Sequence, residues 1–87
     1  MNYEEDSELL KAIAHPVRLK IVIGLINDNE CNVNVMVKKL GIPQSTVSQH
    51  LGILRTRGII KPRKDGLKTC YCVCDEKIKK IVEIMKG

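Results

Sequence analysis

At 87 residues the chain has room for a single domain, 1–87, whose core buries only about 60–65% of the surface an unfolded chain exposes. No apolar run approaches the ~20 residues that cross a bilayer, and Met1 to Glu8 is acidic, without the positive n-region of a signal peptide, so a cytoplasmic protein with no membrane partner is expected. The net charge of +5 is uneven: residues 1–30 carry six acidic side chains against three basic ones, whereas 31–68 carry eight basic ones against Asp65 alone. That distribution suits either a face aimed at a polyanion or a plain solvated surface.

Two Tyr, no Phe and no Trp leave the core to Ile, Val, Leu, Met and Ala, and association between copies would extend it. Tyr3 to Ala14 reads as a first helix with Leu9, Leu10 and Ile13 on one side and an acidic first turn suited to the helix dipole. His15-Pro16 breaks it, because the residue before proline is pushed out of the α region. Pro16 then opens a second helix, whose apolar stripe of Val17, Ile21, Val22, Leu25 and Ile26 ends near Asn27-Asp28. A short third helix runs from Val33 or Asn34 to Leu40, with Gly41 as its C′ residue. After the turn at Ile42-Pro43 comes a fourth helix, Gln44 to Thr56, closed by Gly58. Ile59-Ile60 starts a strand, Lys64-Asp65-Gly66 supplies a hairpin turn, and Lys68 to Cys74 returns. Pro62 suits an edge strand. Asp75 reads as the N-cap of a last helix, Glu76 to Met85, whose stripe of Ile78, Ile81, Val82 and Met85 needs a partner surface.

Short helix, tight turn, then a helix with a small polar outer face is the helix-turn-helix pattern, and a hairpin directly after it is a wing. The expected fold is mainly α with a small β-hairpin wing, in the order α1-α2-α3-α4-β-β-α5, and dimeric. On the outer face of the fourth helix, Gln44, Ser45, Ser48 and Gln49 offer donors and acceptors to base edges, and with Gly52 they are small enough to let the backbone sit deep in a major groove. Arg55, Arg57, Arg63, Lys64 and Lys68 lie where they could meet flanking phosphates. Taken singly, each of these residues also reads as an ordinary solvated side chain.

The segment LLKAIAHPVRLKIVIGL resembles the opening of the ArsR/SmtB family of winged-helix repressors, and LGIPQSTVSQHLGILRTRGIIKPRKDGLKTCYCV resembles that family's recognition helix and wing. The resemblance implies a homodimer formed by the first and last helices, bound to double-stranded operator DNA and released by an effector. It carries DNA contact onto Gln44, Ser45, Ser48 and Gln49. It leaves His50 either touching phosphate or filling the interface between helix and turn. The sequence departs from the family in sensing. Where one family metal site has Cys-x-Cys on the third helix, this chain has Asn32 and Asn34, with Cys31 just before them, and Asn is a poor ligand for soft metals. A second family site uses Asp and His on the last helix, which here has no His.

Four cysteines in a cytosolic chain are expected to be reduced thiols, metal ligands or redox sensors rather than structural disulfides. Cys70, Cys72 and Cys74 alternate on a strand and so share a face. Three readings stand open. They are small buried hydrophobes, with Tyr71 and Val73 then facing outward. They are a thiol sensor of oxidants, persulfides or a soft metal or metalloid, with Cys31 taking part. Or they bind zinc, although the spacing is unlike ordinary zinc sites. No cofactor follows with certainty, and whether any metal binds is undetermined. An enzyme has no support: there is no nucleophile–base pair, no phosphate loop, and both His stand isolated. The alternatives to an effector-released DNA-binding repressor are an effector-independent one with structural cysteines and a winged-helix module that binds protein instead of DNA.

Overall fold

The computed structural model describes residues 1–27 and 32–86. Seven elements follow one another: α1 (Tyr3–Ile13), α2 (Pro16–Asn27), α3 (Val33–Leu40), α4 (Gln44–Thr56), β1 (Ile60–Asp65), β2 (Lys68–Val73) and α5 (Glu76–Lys86). Local chemistry sets most of their ends. The Asn2 side chain accepts from the Glu5 N–H at the start of α1. His15, barred from the helix by Pro16, accepts from the Val17 N–H through Nδ1 at 3.1 Å and so caps α2. Asn32 caps α3 by accepting from Asn34 N at 2.7 Å. Gly41 closes α3 in the left-handed region, φ 66°, as a C′ glycine does. Asp75 accepts from Ile78 N and caps α5, as expected.

α2 is the hub: it packs against α1, α4, α5 and β2, while α3 packs on α4 and α4 also meets α1 and β1. Around it Val22, Val47, Leu54, Ile59, Ile78 and Val82 are fully buried. None of the core residues is aromatic. The wing is a two-stranded antiparallel ribbon in which Ile60 pairs with Val73 and Asp65 with Lys68. Its loop residues are therefore Gly66, at φ 67°, and Leu67, one position later than the turn read from the sequence. Pro62 sits opposite Tyr71 and is tolerated because, among the described residues, no strand pairs with the outer edge of β1. β2 does not: Asn32 forms an antiparallel bridge with Cys70, so the segment entering α3 covers its far side.

The alternation expected along β2 is reversed at its inner end. Val73 is buried in the core and Tyr71 packs against it, where an inward cysteine face would have turned both outward. The reason is cross-strand: Val73 shares its face with the buried Ile60, and two β-branched aliphatics bury more apolar area than Cys72 opposite Lys61. Cys70 is buried too, at the strand position that Asn32 covers.

Candidate nucleic-acid interface

α4 is amphipathic in a way that divides its residues cleanly. Val47, Leu51 and Leu54 are buried and hold the helix to the core. Gln44, Ser45, Ser48, Gln49, Gly52 and Arg55 are all exposed, and at 100° per residue they fall on one continuous outer arc. Gly52 lies near the middle of that arc. A Cβ built there would meet nothing within 4 Å, so no intramolecular packing requires glycine at this place. The Thr56 hydroxyl donates back to the Gly52 carbonyl at 2.8 Å and closes the last turn.

Cations border the arc. Arg55 continues it, and Arg63, Lys64 and Lys68 are exposed along the ribbon, with Lys68 next to the hairpin loop and Lys64 one residue further from it on β1. Leu67 at the loop is fully exposed. Arg57 is different: its guanidinium pairs with Glu8 of α1 at 2.9 Å, which turns it toward the scaffold and away from the arc. His50 also leaves the outer face. It is half-buried, with its Nδ1 3.3 Å from Arg18 Nη1 and its ring centroid 4.6 Å from that of His15. Of the two roles left open for it, filling the interface is the one its position fits.

Among the described residues no cluster of cysteine, histidine or carboxylate side chains could hold a metal ion. Cys70 is disulfide-bonded, whereas Cys72 and Cys74 are free; Cys31 lies outside the described residues. The expectation that the cysteines stay out of disulfides thus fails at Cys70. The Cys72 Sγ–H donates to Lys61 O at 3.8 Å, and Cys74, just beyond β2 and exposed, donates to Gly58 O at 3.3 Å. Where the family resemblance would place metal ligands on α3, Asn32 spends its amide oxygen on the helix cap. That donor set does not fit a soft metal.

A short helix, a glycine turn, a second helix with a bare polar arc and a basic ribbon beside it define a winged helix-turn-helix DNA-binding domain. Residues 15–61 match the family model described as bacterial regulatory protein, arsR family. The chain is 41% identical to the transcriptional repressor PagR of Bacillus anthracis, over 98% of this chain and 85% of that protein. The crystal structure of PagR superposes with a TM-score of 0.82, covering 95% of this chain and 94% of that one. HlyU from Vibrio cholerae superposes at 0.86 with 33% identity, over 97% and 90%. The chain belongs to the ArsR family and is a DNA-binding transcriptional regulator, not an enzyme. Among the described residues no helix is long and apolar enough to cross a membrane.

Proposed function

We propose that the chain is a homodimeric cytoplasmic repressor that lays one α4 per subunit into the major groove of an operator half-site. Gln44, Ser45, Ser48 and Gln49 read base edges, while Arg55, Arg63, Lys64 and Lys68 hold the flanking phosphates. The observation that carries this reading is the α4 arc itself. It is polar and exposed, has a bare glycine near its middle and cations at its border, whereas a protein-docking face would be apolar. PagR, at 41% identity, is a repressor, whereas Vibrio cholerae HlyU, at 36%, is an activator, so the stronger of the two likenesses favours repression.

Two apolar strips supply the dimer contact. Tyr3 and Leu10 on α1 and Ile84 and Met85 on α5 are exposed, and the Lys77–Asp6 ion pair at 2.8 Å ties the two helices together. A second copy would cover both strips, as the small core demands.

The Cys70 disulfide favours a thiol-responsive repressor over an effector-independent one. It sits on β2 beside the cap of α3, and opening it takes two electrons and two protons from a dithiol reductant. Fluorescence anisotropy on the promoter DNA of the chain's own gene tests both parts. Tight, salt-sensitive binding by the reduced protein that weakens on oxidation, with Cys70→Ser insensitive to either condition, is the expected result. Binding that no redox condition, metal or arsenite perturbs would leave the repressor and remove the thiol switch. Binding no tighter than to unrelated DNA would defeat the operator assignment.

A further inference from the structure

Three basic side chains meet where α4 crosses the α1–α2 junction. The Arg18 Nε–H donates to the Ala12 carbonyl at the end of α1, and its Nη1 reaches His50 Nδ1 at 3.3 Å. Arginine has no acceptor atom, so His50 Nδ1 must be unprotonated and its proton must sit on Nε2. His15 is in the same condition, because its Nδ1 accepts the Val17 N–H. The two imidazoles stand 4.6 Å apart, tilted by 44°. His50 therefore uses as an acceptor the nitrogen that an imidazolium turns into a donor, and among the described residues no carboxylate bears on it. Among the described residues, the titratable or charged groups that bear on His50 are His15, from the junction, and Arg18, from α2. The other elements packed on α4, namely α1, α3 and β1, add none.

We propose that His15, Arg18 and His50 form a proton-sensitive joint that sets the angle of α4 against α2, so that acidification loosens the recognition helix and weakens operator binding. Burial first, then the charges of His15 and Arg18, hold the His50 pKa below its ordinary 6.5, in keeping with a ring built to work neutral. Protonation of His50 removes its bond from Arg18 and sets two cations against each other on adjoining elements. His50 is a positioning residue: it lies off the exposed arc and acts through the helix that carries Ser48 and Gln49.

This inference rests on the DNA-binding reading, and its sign sets it apart from plain electrostatics. Added positive charge should tighten the binding of any duplex at low pH, whereas a loosened α4 should weaken the specific complex. The experiment compares affinity for the promoter fragment with affinity for an unrelated duplex of equal length, at pH 7.5 and 5.5 and constant ionic strength. The specific-to-nonspecific ratio should fall at least about threefold for the unmodified protein. It should change less than about twofold for His50→Gln, whose amide oxygen accepts from Arg18 but does not titrate. Parallel profiles for the two proteins, or a ratio that rises on acidification, would overturn the joint. With only two histidines in the chain, imidazole nitrogen NMR at pH 7.5 gives a readout that needs no operator. Both rings should be the Nε2–H tautomer, and an Nδ1–H on either one would sink the proposal. A promoter fragment bound no better than unrelated DNA would count against the operator reading instead, with the NMR result still deciding the joint.

Discussion

Ser48 and Lys64 are both exposed and polar, yet the proposed interface gives them different tasks. Ser48 stands on the α4 arc among the residues proposed to read bases, so Ser48→Ala or Gln49→Ala should cost roughly 1–3 kcal/mol in operator affinity per lost base contact and leave nonspecific binding unchanged. Lys64 stands near the hairpin loop, and Lys64→Ala should weaken binding to every sequence alike and lower the salt slope by about one. Anisotropy titrations at several salt concentrations separate the two. His50 makes a prediction about the free protein as well. Its folded pKa is lowered, so below 6.5 the unfolded chain binds more protons than the native one, and stability falls as pH drops from 6.5 through the folded value. Above 6.5 this pH dependence vanishes. Urea denaturation at pH 7.5 and 5.5 should show a loss on acidification that is smaller in His50→Gln.

Among the elements, α3 depends most on its cap. It has only eight residues, too few to persist by propensity, and Asn32 satisfies one of its first N–H groups. Asn32→Ala should cost about 1 kcal/mol, seen as a lower Tm. Leu54, fully buried on α4, should cost about 2–5 kcal/mol on truncation to Ala, a large part of the 5–15 kcal/mol on which small domains stand. The helices were legible in the sequence because Pro16, Gly41, Gly58 and Asp75 punctuate them and each apolar stripe has one period. The ribbon was less so. Its alternation could be read, but which face meets the core depends on Ile60 lying opposite Val73 and on Asn32 bridging Cys70, and both are pairings between distant residues. For the same reason the exposed polar side of α4 could be read from one helix, while the company of His50 and Arg57 could not: their partners, Arg18 and Glu8, come from α2 and α1.

At the scale of the whole molecule, two surfaces are unfinished in opposite senses. The α4 arc and wing are polar and cationic, and the α1 and α5 strips are apolar. Leu10 is 49% exposed and Ile84 79%, values that suit a covered interface better than a free surface on so small a chain. Replacing both by Asp should convert a dimer to a monomer in sedimentation. It should also weaken operator binding far more than one domain's contacts would explain, because the second half-site is no longer tethered. Asp6→Asn should weaken the dimer only modestly, since an ion pair at the surface is worth about 0–1 kcal/mol.

The bare position at Gly52 sets the interests of the free protein against those of the complex. A methyl group would meet no neighbour and would remove the backbone freedom that makes mid-helix glycine cost about 0.5–1 kcal/mol relative to alanine. Gly52→Ala should therefore raise Tm and weaken the operator complex together. Selection for heat resistance would favour that alanine, and selection for regulation would discard it.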